Sequence, residues 1–271
     1  MTDSSLSRPG QHRLATALAC GLSDVGPVRE SNEDNFLLDT GLHLLAVADG
    51  MGGHEAGALA STLALTCLRE HLAAHATGAP ACSSDPDATW SDPAMQAVSV
   101  LHDAIDQVNA QVYARNVARQ MSEGNGMGTT LTGLWRPQDQ GPLLVFHVGD
   151  SRLYRYRDGE LALLTRDQTW YQQALEAGKV DRLPARNLLL QAIGPAARVE
   201  PQIRVHPVLP GDLLMLCSDG LHGCVPHQEI TQVLAAATRH SLETACERLL
   251  DLSVEYAGRD NVTVLLAFYD H

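Results

Sequence analysis

Apolar positions along this chain fall into two rhythms. Helical spacing runs from Glu55 to Ala74, where Ala56, Leu59, Ala60, Leu63, Cys67, Leu68 and Leu72 share one face. A second stripe, Val98, Leu101, Ile105, Val108 and Val112, predicts a long helix after Asp92-Pro93, an N-cap followed by proline in the first turn. Residues 76–92 between them are rich in Pro, Ser, Asp and Gly and read as a loop. Short apolar runs predict strands at Leu14–Cys20, Phe36–Leu38, His43–Ala48, Thr129–Trp135, Leu143–Val148, Arg152–Arg157, Leu161–Thr165, Ile203–Val205, Leu213–Cys217 and Val262–Phe268. Asp158-Gly159 is a hairpin turn. Helices are expected near Gln168–Ala177, at Pro226–Ala237 and at Ser241–Ala257, the last burying Leu242, Ala245, Cys246, Leu249, Ser253 and Tyr256. Strands without regular βαβ alternation, and helices in pairs, imply antiparallel sheets packed together with helices outside.

Composition narrows the function classes. Of 271 residues, 45% are hydrophobic, enough for a sizeable core, and aromatics are only 4%, so Leu, Ala and Val fill it. A formal net charge of -13 argues against nucleic acid or an anionic membrane surface as partner. The scattered cysteines form no CxxC pair and read as buried reduced thiols. Residues 1–12 read as a flexible polar lead with no signal-peptide stretch, and no run is apolar enough for a membrane span, so a cytoplasmic location is expected.

Acids recur at the ends of apolar strands. HLLAVA ends in Asp49-Gly50, LLVFHV in Gly149-Asp150 and LLMLCS in Asp219-Gly220; Asp260 precedes the last strand, and Glu33-Asp34 precedes Phe36. One such Asp is ordinary turn punctuation. Five such places, most without a neighbouring Lys or Arg, are costly unless the carboxylates bind metal or shift their pKa values. All-oxygen ligands favour Mg²⁺, Mn²⁺ or Ca²⁺ over zinc.

At these residues the sequence resembles the metal-dependent (type-2C) serine/threonine protein phosphatases, in their bacterial form. The motifs are Arg29-Glu30-Ser31-Asn32-Glu33-Asp34, Asp49-Gly50-Met51-Gly52-Gly53, Gly126-Met127-Gly128-Thr129-Thr130, Gly149-Asp150-Ser151-Arg152, Ser218-Asp219-Gly220-Leu221 and Arg259-Asp260-Asn261-Val262-Thr263-Val264, in the family's order. The resemblance implies an α+β fold, a four-layer αββα sandwich of two antiparallel sheets flanked by helix pairs. It implies one catalytic domain over 13–271 with a flap at about 166–200. By the same resemblance Asp49 bridges two Mn²⁺ or Mg²⁺ ions, Glu33 and the Gly50 carbonyl complete one site, and Asp219 and Asp260 complete the other. Asp150 with Asp219 would hold a third ion, Asp34 would hold metal-bound water, and Arg29 would grip the substrate phosphate. A metal-bridging hydroxide would attack phosphorus without a phosphoenzyme. The implied partners are phosphorylated proteins, targets of a serine/threonine kinase, and a monomer is expected.

Two departures matter. Met51 stands where eukaryotic relatives place a histidine, so metal-bound water is the expected acid, and His54 is not given that role. The flap segment from Gly178 to Arg186 is short, and Leu183-Pro184 replaces a usual His-Pro, which bears on substrate choice. Other signals take plain readings. His71 and His75 read as a solvated helix end, and Arg152, Arg155 and Arg157, alternating with Tyr154 and Tyr156, read as a solvated sheet face. A binding module that had given up turnover would have lost a ligand, and Glu33, Asp49, Asp219 and Asp260 are all present. Hydrolysis of a small phosphoester is the other rival.

Overall fold

The computed structural model describes residues 10–14, 16–53, 55–77, 93–137, 141–179 and 183–270. The expected loop beyond residue 77, the Asp92 cap, residues 1–9 of the lead, His54 and Cys82 lie outside the described residues. One antiparallel sheet contains β1 (His12–Arg13), β2 (Ala17–Asp24), β9 (Arg152–Arg157), β10 (Glu160–Leu163), β12 (Leu213–Cys217) and β13 (Val262–Tyr269), in the order β1-β2-β13-β12-β9-β10. The second contains β3 (Asn35–Asp39), β4 (Leu44–Ala48), β7 (Leu131–Trp135), β8 (Leu143–Val148) and β11 (Gln202–His206), in the order β11-β8-β7-β4-β3. A small ribbon pairs β5 (Gly50–Met51) with β6 (Gly128–Thr129).

Three apolar clusters separate four layers. Helices α1 (Glu55–Thr77) and α2 (Pro93–Ala118) cover the second sheet through Leu65, Leu68, Leu101 and Ile105. Helices α4 (Asp219–His222), α5 (His227–Ala236) and α6 (Leu242–Glu255) cover the first through Ile230, Leu234, Cys246 and Leu249. The two sheets meet across Leu45, Val47, Leu134, Leu214, Leu216 and Leu265. The architecture is the αββα sandwich. Each sheet is covered on both faces, which is why its central strands are continuous apolar runs rather than alternating ones: β4, β7, β8 and β12 are buried at every position. Burying each Leu contributes about 1.5–3 kcal/mol before entropy is counted.

Local chemistry sets the connections. Asp158 (φ 51°) and Gly159 (φ 85°) both take the left-handed conformation, as a two-residue I′ hairpin requires. The short helix α3 (Trp170–Glu176) is capped by Thr169, whose hydroxyl accepts from the Gln172 N–H.

Three expectations need correction. The strand foreseen at Thr129–Trp135 is broken at Thr130, which turns its hydroxyl to the Asp49 N–H at 2.9 Å. Tyr256 falls after α6 and is 42% exposed, while Leu252 fills the buried face. Arg152, Arg155 and Arg157 do not form one solvated face. Residues 152 and 154 share a face, and Arg152 Nη1 donates to Tyr154 Oη at 3.0 Å. Arg155 and Arg157 follow Leu153 towards the other sheet.

Candidate active site

The strand ends bring the acids together at one end of the sandwich. Asp49 follows β4, Asp150 follows β8, Asp219 opens α4 just after β12, Asp260 precedes β13, and Glu33 and Asp34 precede β3. Burial raises the pKa values of Asp34, Asp49, Asp150 and Asp219, and repulsion from neighbouring acids adds to the rise. Asp34 is pushed up to about 7 by burial, with Asp219 and Asp260 adding to the rise. Asp150 is pushed up to about 7 by burial, then by Asp219 and Asp167. Asp219 is pushed up to about 6 by burial, then by Asp260. Asp49 is held well above the usual carboxylate range by burial and by Asp34, Asp219, Asp150 and Asp260. Arg29 Nη2 donates to Asp260 Oδ2 at 2.7 Å on the exposed rim, within the field of Glu33 and Asp49.

Tight backbone approach builds the floor. Gly50 donates its N–H to the Glu33 carbonyl at 3.2 Å, and a Cβ at Gly50 would collide with the Gly57 carbonyl. A Cβ at Gly57, in the first turns of α1, would run into Glu33 Oε2. Both positions therefore need glycine. The β5–β6 ribbon joins the Asp49-Gly50-Met51 segment to Gly128-Thr129, and Thr129 Oγ1 donates to the Asp49 carbonyl at 2.9 Å.

Several positioning residues escaped the sequence reading. Ser218 Oγ and Thr263 Oγ1 donate to Asp34 Oδ2 at 2.6 and 2.8 Å. Asn261 Oδ1 accepts from the Glu33 N–H at 2.9 Å, while its Nδ2 donates to the carbonyls of Val25 and Ser31 at 2.9 Å each. These residues flank acids inside the quoted motifs, which was the available signal. Beneath the site Thr130 Oγ1 lies 2.7 Å from Ser151 Oγ, and Thr132 Oγ1 lies 2.9 Å from His147 Nδ1. Burial pushes His147 down to about 4, so the neutral ring donates from Nε2 to the Arg166 carbonyl at 3.0 Å. Gln168 exchanges two hydrogen bonds with Gly149, N–H to carbonyl at 2.8 Å and Oε1 from N–H at 2.9 Å, tying the segment after β10 to the residue before Asp150.

The donors are oxygens alone, the chemistry that suits hard divalent cations. Among the described residues, no three His, Cys, Asp or Glu side chains enclose one point as they stand. Asp260 is turned to Arg29. That contact is what a crowded carboxylate makes with the nearest cation, and a divalent ion would displace it.

The family model for Protein phosphatase 2C matches residues 28–253. The chain belongs to the protein phosphatase 2C family. It is 32% identical over 256 residues to the serine/threonine phosphatase stp of Listeria monocytogenes, spanning 92% of this chain and 94% of that one. A crystal structure of the catalytic domain of the serine/threonine phosphatase PstP with two manganese ions superposes with a TM-score of 0.75 at 32% identity, covering 94% of this chain and 99% of that one. The phosphatase MsPP of Mycobacterium smegmatis, solved with cacodylate, superposes with a TM-score of 0.73 at 31% identity, covering 93% and 97%. As a protein phosphatase 2C, the chain is a serine/threonine protein phosphatase. No helix among its described residues is long and apolar enough to cross a membrane.

Proposed function

We propose that this phosphatase works with divalent cations held by Glu33, Asp49, Asp219 and Asp260 and the Gly50 carbonyl, with Asp150 and Asp219 offering a third position. The observation that carries the reading is the set of buried acids, Asp34, Asp49, Asp150 and Asp219, whose pKa values burial and their acidic neighbours raise despite the nearby Arg29 and Arg152. The two manganese ions of the PstP structure favour Mn²⁺, and Mg²⁺ has the same ligand chemistry. Bound there, such ions supply Lewis acidity that activates water and offsets phosphoryl charge.

The chain's own residues do the rest. Arg29 exchanges its contact with Asp260 for the substrate, and its planar fork matches two phosphoryl oxygens. Asp34 is turned by Ser218 and Thr263, which occupy Oδ2 and leave Oδ1 as the atom that takes or gives a proton. Water attacks phosphorus directly in this reading, and no side chain is phosphorylated. The substrates are phosphoserine and phosphothreonine in proteins, made by a serine/threonine kinase; the enzyme acts as a cytoplasmic monomer, one catalytic domain with residues of about 166–200 as its flap.

The test is hydrolysis of p-nitrophenyl phosphate and of a phosphothreonine peptide with Mn²⁺, with Mg²⁺ and with chelator. Turnover of both substrates that chelator abolishes is expected. Turnover that survives chelation would overturn the metal reading. Turnover of the small ester alone would move the substrate from proteins to metabolites.

A further inference from the structure

The end of the sandwich away from the carboxylates gathers cations in a chain that is otherwise acidic. Strand β9 leaves the active site at Arg152 and ends at Arg157, β11 pairs His206 with Leu143 at the end of β8 far from Asp150, and β13 starts beside Asp260 and ends at Tyr269. Five or six residues of strand put this rim about 20 Å from the acids. Arg136, after β7, stacks its guanidinium over the Tyr269 ring at 5.5 Å, and the Tyr269 N–H donates to the Asp212 carbonyl at 2.9 Å.

Of the acids on this rim, Asp270 pairs with Arg239 Nη2 at 3.6 Å, and Asp212 has both its carboxylate oxygens taken. Arg157 Nε and Nη2 donate to Oδ1 and Oδ2 at 2.5 and 2.6 Å, and the Leu209 N–H donates to Oδ2 at 2.9 Å. Arg155 lies close enough to act electrostatically on both Asp212 and His206, yet forms no ion pair with either. Among the described residues, Arg136 Nε, Arg155 Nε, His206 Nε2 and Tyr269 Oη are buried on this rim without a hydrogen-bond partner. Tyr269 is 0% exposed. An arginine Nε can only donate, and the imidazole and phenol can donate too. Buried donors rarely stay unpaired, so their concentration on one rim calls for an acceptor. Oxygens carrying negative charge complete it best, because Arg136 and Arg155 are fixed cations.

We infer that this rim is a second, non-catalytic oxyanion site that takes a phosphoryl-type group on Arg155 and His206, with Arg136 and Tyr269 beside them. It stands on groups remote from the carboxylates, so it holds or fails apart from the metal reading.

The test is calorimetric titration of the full chain, in chelator, with inorganic phosphate and separately with a phosphoserine peptide. The variants are Arg155→Gln/His206→Gln and Arg29→Ala. Binding is expected in the wild type, weakened about tenfold or more in the double variant and unchanged in Arg29→Ala. The double variant should turn over p-nitrophenyl phosphate like the wild type. Peptide and phosphate both binding would assign the site to a protein-borne phosphoryl group, and phosphate alone to the free anion. Binding that survives in the double variant, binding lost in Arg29→Ala, or no binding of either probe overturns the inference. Should the double variant not fold, selenate soaked into wild-type crystals decides: an anomalous peak against Arg155 and His206 supports the site, and none there overturns it.

Discussion

A single methyl group at position 57 would collide with the Glu33 carboxylate. Helix α1 tolerates glycine in its first turns at a cost of up to about 1 kcal/mol relative to alanine, and Glu33 is what that cost makes room for. Gly57→Ala should therefore displace Glu33 and press on the Gly50 backbone, whose carbonyl carbon lies 2.9 Å from the added Cβ, while the chain still folds. The Mn²⁺ concentration for half-maximal activity should rise about 10–100-fold, the range seen when a residue that orients a ligand is changed. A manganese titration of the variant checks this, and an unchanged midpoint would remove both Glu33 and the Gly50 carbonyl from the site. Asp49→Asn acts on a proposed ligand itself. Its loss should exceed about 100-fold in turnover with saturating Mn²⁺, while circular dichroism stays that of the folded chain. Activity near wild type would sink its place at the centre. Arg29→Ala should raise KM for p-nitrophenyl phosphate and leave the Mn²⁺ midpoint nearly unchanged, because Arg29 lies on the rim with half its side chain exposed.

Between elements, the join that matters most is the one between β9 and the segment after β10. Arg152 Nε and Nη2 donate to Asp167 Oδ1 and Oδ2 at 2.8 and 2.7 Å, with the two side chains only 26% and 15% exposed. A half-buried bidentate pair loses more when one partner is removed than when both are. Arg152→Met should cost about 2 kcal/mol in urea unfolding, and adding Asp167→Asn should recover part of it. Additive losses would show that the pair is not coupled. The element scale also explains what the sequence displayed. Strands β8, β9 and β12 begin and end where their apolar or alternating runs do, since sheets covered on both faces leave continuous runs bounded by Gly and Asp. Pairing partners leave no such trace. Thr263 reaches Asp34 across 229 residues of chain because β13 lies between β2 and β12, and the ribbon of two-residue strands is too short for periodicity to mark. The acids could be read from their strand ends, whereas Ser218, Thr263, Thr130 and Asn261 depend on which strands become neighbours. The arginines of β9 misled for the same reason: alternation was visible, but not which face met the other sheet.

For the whole molecule, the consequence of gathering acids at one end is a stability that depends on what neutralises them. Asp34 and Asp150 have folded pKa values of about 7, and Asp49 lies well above the usual range, against about 4 in an unfolded chain. A raised carboxylate pKa means the folded chain binds more protons than the unfolded one between those values. Its contribution is full below about pH 4 and is lost as pH rises through about 7. Two buried histidines act the other way: His147 and His222 are pushed down to about 4, so their contribution is present above about 6.5 and lost as pH falls. The two effects oppose each other below about 6.5, and above it only the carboxylates remain. In chelator, then, Tm should fall by about 5 °C between about pH 6.5 and about pH 8. Saturating Mn²⁺ should flatten that slope, because ions bound to ionised carboxylates replace the protons that neutralised them. Thermal scans across this window, with and without Mn²⁺, separate the alternatives. A chelated protein with a flat Tm would mean that the acids are not coupled as their burial implies. A slope that Mn²⁺ leaves untouched would mean that they are coupled to one another but do not bind the ion.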